Sequence, residues 1–182
     1  FQSGALNESF ADIFGAMVDD DDWQMGEDVV NTDYFPSGAL RDLKDPHNGD
    51  EAGGYNWQPA HMDEYLDLDE DDDNGGVHFN SGIPNRAAYL IAEAIGREKT
   101  ARIYYHILDA HYLSPRSQFV DCRVAAERAA GDLFGDESTE LEAVRNAFSA
   151  VGIVAEPEES EGGGETGEEP VPPVSSRDQQ GV

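Results

Sequence analysis

Two short stretches of the chain carry residue types that could do chemistry. Glu8 and Asp12 stand four residues apart, so on a helix both carboxylates project from one side. Stacked in that way, one can ligate a metal ion while the other accepts a hydrogen bond from a neighbouring histidine ligand and fixes its orientation. The pair alone does not separate that reading from a solvated acidic helix face. The run Asp73-Asn74-Gly75-Gly76-Val77-His78 is sharper. Its two glycines free the backbone, and a histidine follows within reach of an aspartate. A carboxylate that accepts from one imidazole nitrogen fixes the ring and keeps it charged, leaving the other nitrogen to donate to an oxygen that gathers charge during reaction. A solvated acidic loop ending in a surface histidine has the same sequence signature. His47, His61, His106 and His111 form no ligand pattern, and His106 and His111, five apart on an expected helix, suit packing or solvent.

The elements that must position these groups are helices. Leu6, Phe10, Ile13, Phe14 and Met17 recur at spacings of three and four, which predicts a helix over residues 5–18 with one buried stripe. Glu8 and Asp12 fall on it, away from the stripe that Leu6 and Phe10 lead. From Asp19 to Gly82 the period fails and Gly, Pro, Asn and Asp punctuate the chain, so loops and short turns are expected. Loops this long inside a domain are usually functional. The helical period returns at Ile83, Ala87, Leu90, Ile91, Ala94 and Ile95, with Pro84 suited to a first turn and Gly96 to a stop. Further helices are expected around Ile103 to Leu108, over Phe119 to Leu133, and over Leu141 to Val151, the last opened by a capping box from Thr139 to Glu142. The fold class is therefore mainly α, with five helices and no convincing strand. Residues 1–154 read as one domain. Residues 155–182, rich in Glu, Gly, Pro and Ser, have no apolar period to bury and read as a disordered tail.

Composition bounds the partners. With 39 acidic residues against 11 basic, the 182-residue chain carries a formal charge of -28, which repels nucleic acid and anionic membranes and leaves cations and metal ions as partners. The acidic residues are spread along the whole length and only two lysines occur, Lys44 and Lys99. That pattern suits high salt, where the self-repulsion of a dense acidic surface is screened; an ordinary acidic protein remains the alternative. Cys122 is the lone cysteine, so no internal disulfide forms. No apolar run approaches a membrane span, and the first residues carry no export signal.

Several segments in order resemble the thermolysin family of neutral zinc metallopeptidases. They are Ser3-Gly4-Ala5-Leu6-Asn7-Glu8-Ser9-Phe10-Ala11-Asp12-Ile13-Phe14-Gly15, Trp23-Gln24-Met25-Gly26-Glu27-Asp28, Leu40-Arg41-Asp42-Leu43-Lys44-Asp45-Pro46, Asp73 to Ile83, and Ala147-Phe148-Ser149-Ala150-Val151-Gly152. The resemblance covers residues 3 to about 154 and implies the bundle-like, C-terminal helical domain of that fold. It also implies roles. Glu8, in the motif Asn-Glu-x-x-x-Asp, would be a zinc ligand, and Asp12 would orient a histidine ligand. His78 would stabilise the charged oxygen of the reacting peptide, and Asp73 would orient His78. Arg41 would bind the substrate backbone beside Leu40, which lines the specificity pocket. Asp19, Asp22 and Glu27 match positions that help bind calcium in the family, although the intervening loop is short and Gln24 replaces an acidic residue.

The family's His-Glu-x-x-His helix, which supplies two zinc ligands and the general base, occurs nowhere in the 182 residues. The resemblance places it upstream of Phe1. Two functions follow as expectations. In the first, the chain is the C-terminal half of a secreted zinc endopeptidase that hydrolyses peptide bonds with zinc-activated water, inactive by itself and completed by an N-terminal half. In the second, it is a non-catalytic, calcium-stabilised helical binding module.

Overall fold

The structure, a computed structural model, describes residues 1–154; the acidic stretch 155–182 read as a tail lies outside the described residues. Helix α1 spans Gln2–Val18 and buries Leu6, Phe10 and Ile13 of the stripe that the three-and-four spacing predicts, with Phe14 and Met17 half-buried, and it buries Ala16 as well. It is the hub, touching the later helices α2 (Asp73–Asn80), α3 (Gly82–Ile95), α4 (Arg97–Asp109) and α5 (Phe119–Phe134). Helix α6 (Thr139–Ala150) closes the bundle against α3 and α5. Ile13, Ile91, Ile103, Tyr104, Phe119 and Phe148 are fully buried where these helices meet. A residue with that burial touches several elements at once, so the bundle packs as one unit. Cys122 is part of this core, and burial, assisted by Asp121, pushes its thiol up to about 12. It stays a neutral apolar filler.

The five expected helices are all present, and Gly96, at φ 88°, ends α3 as its position suggests. Five details differ from the sequence reading. The start of α6 is capped by Ser138, whose Oγ accepts from Leu141 N–H at 3.2 Å; Thr139 is already inside the helix, so the expected box is one residue out of register. His111 lies beyond the end of α4 with φ 56°, so it shares no helix face with His106. The region 19–82 is not all loop. It holds two two-residue strands, β1 (Gln24–Met25) and β2 (Arg41–Asp42), paired antiparallel with Gln24 opposite Asp42. Strands this short show no alternation. The same region holds α2, whose opening is left-handed, and 3₁₀ turns at Pro46–Gly49 and Met62–Glu64. Finally, Asp12 does not face solvent on α1; it is 2% exposed.

The irregular region is pinned to the helices by polar side chains. Arg97 of α4 donates to the carbonyls of Ala16 and Asp22 and lies 3.9 Å over the Trp23 ring, which holds the acidic turn 19–22 against α1. Asn80 is 1% exposed and exchanges two 2.9 Å hydrogen bonds with the backbone of Leu66. No described helix is long and apolar enough to cross a membrane.

The surface remains strongly one-sided in charge. Lys99 to Glu140, and Arg123 and Arg145 to Glu127, are ion pairs between helices or turns of the bundle, but the 11 basic residues cannot neutralise 39 carboxylates. Self-repulsion among the remainder opposes compaction until counterions screen it. Thermal unfolding is therefore expected to move to higher temperature from dilute buffer to concentrated salt; identical midpoints in the two would refute salt adaptation.

Candidate active site

The site is built on an unusual turn. Asp73, Asn74, Gly75 and Gly76 have φ values of 53°, 52°, 78° and 75°, so the chain makes one left-handed turn before Val77 resumes the right-handed sense. Asp and Asn tolerate this region and glycine enters it freely. The turn brings Asp73 back over the helix end: one carboxylate oxygen accepts from His78 N–H at 2.7 Å and the other lies 2.5 Å from His78 Nδ1. Main chain and ring of one histidine are thus fixed by a single aspartate. A side chain on Gly76 would meet the Asn80 amide at 2.8 Å, so a tight packing contact and the positive φ both call for glycine there.

With Nδ1 bound to Asp73, Nε2 is the free nitrogen of the His78 ring. It lies 3.4 Å from Glu8 Oε2, contributed by α1. The His78 side chain is half exposed, and with Asp73 it lines an open pocket of about 350 Å³ whose other walls are Leu40, Arg41, Tyr55, Asn56, Gln58 and Phe79. Four residues singled out in the sequence, Leu40, Arg41, Asp73 and His78, therefore share one pocket, with Glu8 beside it.

Asp12 sits one helical turn from Glu8 and is held from two directions. Its Oδ1 accepts from Arg41 Nη2 at 2.9 Å, and its Oδ2 accepts from Asn85 Nδ2 of α3 at 2.9 Å. A buried carboxylate requires such partners. Arg41 has five N–H donors; the bond to Asp12 uses one, and Nε is buried without a partner. Asp12 thus anchors the arginine of the pocket.

Among the described residues no three His, Cys, Asp or Glu side chains converge to hold a metal ion. Glu8 could fill a single ligand position, because its side chain is about a third exposed and Oε2 stands 3.4 Å from His78 Nε2. Asp19, Asp22 and Glu27 are not gathered into a cation site. Asp22 instead accepts from Gln24 N–H at 2.7 Å, while Glu27 keeps one buried oxygen without a partner.

Comparison with known proteins decides the family. Residues 1–153 match the model of the thermolysin metallopeptidase alpha-helical domain. The chain belongs to the thermolysin metallopeptidase family. It is 49% identical over 162 residues to bacillolysin of Brevibacillus brevis and 46% identical over 154 residues to a zinc metalloproteinase of Listeria monocytogenes. Each alignment covers 84% of this chain but only 29% and 28% of those proteins, so the chain spans about three tenths of their length. A solved structure, the precursor of protealysin, a metalloproteinase from Serratia proteamaculans, superposes with a TM-score of 0.74 at 34% identity, over 84% of this chain and 50% of that one. Within this thermolysin-family domain, sequence reasoning missed Tyr55, Asn56, Gln58 and Phe79 as pocket residues and Asn85 as a partner of Asp12. Gln58 and Asn85 meet their partners 20 and 73 residues away, Tyr55 and Asn56 reach the pocket from a distant irregular stretch, and Phe79, although next to His78, has a side chain with no chemistry to flag it.

Proposed function

We propose that this domain forms one wall of the active site of a zinc endopeptidase. The observation that carries the reading is the Asp73–His78 pair, held at 2.5 Å, which shares a pocket with Arg41 and Leu40 and points its free nitrogen toward Glu8. Glu8 would hold the zinc together with ligands from outside the described residues. When bound, the metal would supply Lewis-acid polarisation of the scissile carbonyl and activation of water.

The remaining work falls to this chain's own side chains. His78 donates from Nε2 to the carbonyl oxygen as it gathers negative charge; because Nδ1–H is given to Asp73, this donation uses the doubly protonated ring, whose positive charge the Asp73 carboxylate offsets. Arg41, anchored on Asp12, offers its unused N–H groups to a backbone carbonyl of the bound peptide. Leu40 supplies an apolar wall for the neighbouring substrate side chain. Asp12 adds a second duty, orienting a histidine ligand. The partners are a peptide substrate and an N-terminal segment of the same protease, and an extracellular location goes with the family resemblance.

The decisive experiment uses the whole protease that contains this domain. It is expected to cleave an unstructured peptide, to lose that activity to a zinc chelator, and to regain it on adding zinc. Activity that survives complete metal removal would refute the reading.

A further inference from the structure

The segment Asn56–Ala60 crosses the domain as a tight strap, and two glycines make room for it. A Cβ on Gly49 would stand 1.9 Å from the Asn56 carbonyl oxygen, and one on Gly82 would stand 2.5 Å from the Pro59 carbonyl oxygen. Backbone packed this closely cannot drift. Polar contacts hold the strap along its length. Gln58 N–H donates to the Pro46 carbonyl at 3.1 Å, and Ala60 N–H donates to Glu64 Oε2 at 2.8 Å. Trp57 stacks on His47 at 5.3 Å and 3°, and His47 Nε2 lies 2.9 Å from the same Glu64 oxygen. Burial opposes ionisation of Glu64, yet the Ala60 N–H and His47 together hold its carboxyl below the ordinary range.

The strap turns one side chain inward. Gln58 is 4% exposed, and its Nε2 donates to the His78 carbonyl oxygen at 2.5 Å and to Ser81 Oγ at 3.2 Å. Ser81 Oγ in turn donates to the same carbonyl at 3.1 Å. We propose that Gln58 is a positioning residue for His78, holding its carbonyl from behind while Asp73 holds its N–H and its ring. The need follows from the local geometry. His78 stands near the start of a right-handed run that continues through Ser81 into α3, directly after four left-handed residues, so no helical ladder precedes it. A displacement of about 1 Å at a catalytic group costs up to about 100-fold in rate. The strap removes that freedom by tying His78 to Pro46 and, through Glu64, to His47. The inference rests on the reading of His78 as the donor to the reacting oxygen.

The test uses the whole zinc-loaded protease and compares His78→Ala, Gln58→Met and the double variant. Methionine keeps the length of glutamine and removes its donors. Gln58→Met is expected to lower kcat roughly tenfold with KM and zinc content changed by less than about twofold, and to have no further effect on kcat once His78 is Ala. If Gln58→Met does not fold, Gln58→Glu fills the same space with a group that cannot donate when ionised, and the same pattern is expected of it. An unchanged kcat, or an equal loss with and without His78, overturns the proposal while leaving the role of His78 intact. A normal kcat for His78→Ala alone overturns the reading of His78 itself, and the proposal with it.

Discussion

Purified alone, the 182-residue chain is expected to cleave no peptide and to keep no zinc through dialysis. A catalytic zinc site takes three protein ligands plus an open position, and the described residues gather no such set. Glu8 offers one carboxylate, with His78 Nε2 at 3.4 Å from it. In the reading proposed for His78, that nitrogen carries the proton it donates to substrate, so it is not available as a metal ligand. The sequence also holds no His-Glu-x-x-His motif, the source of the family's general base. Metal analysis of the dialysed chain, with peptidase assays on the same sample, checks both points. One tightly held zinc per chain would overturn the expectation, and so would peptide hydrolysis that a chelator abolishes.

What the sequence disclosed and what it hid divide along physical lines. The five long helices were legible because each buries an apolar stripe, and a stripe is a local pattern. Helix α2 was not, because Asp73 to Gly76 turn left-handed and a hydrophobic period presumes the right-handed helix. The strands at Gln24–Met25 and Arg41–Asp42 are too short to alternate. Adjacent hydroxyls at Ser138 and Thr139 gave no local means of choosing the cap that the structure assigns to Ser138.

The candidate site divides in the same way. Asp73 and His78 are five residues apart, close enough for the run itself to suggest their contact. Leu40 and Arg41 entered through resemblance and meet the pair in one pocket. The burial of Asp12 could not be read from α1, since the donors that make it tolerable stand 29 and 73 residues away, at Arg41 and Asn85. Gln58 was hidden for the same reason: its target is a main-chain carbonyl 20 residues on, and a backbone group leaves no mark in the sequence.

In the whole protease, His78→Ala is expected to lower kcat by about two to three orders of magnitude with little change in zinc content. Loss of a single donor to a charged reacting oxygen has an effect of that size, and it falls on kcat because the interaction strengthens only as charge develops. Glu8→Gln should act on the other quantity. The variant keeps the volume of the side chain but replaces an anionic ligand with a neutral amide, so zinc affinity drops and activity follows the metal. Asp73→Ala removes the acceptor at 2.5 Å from Nδ1 and the one at 2.7 Å from the His78 main chain. The ring is then free to turn, and a milder form of the His78 loss is expected, again with zinc retained. Metal content and kinetics measured on the same three preparations must therefore separate Glu8 from the other two. Zinc lost from the His78 variant as readily as from the Glu8 variant would mean that His78 belongs to the metal site and not to the reacting oxygen.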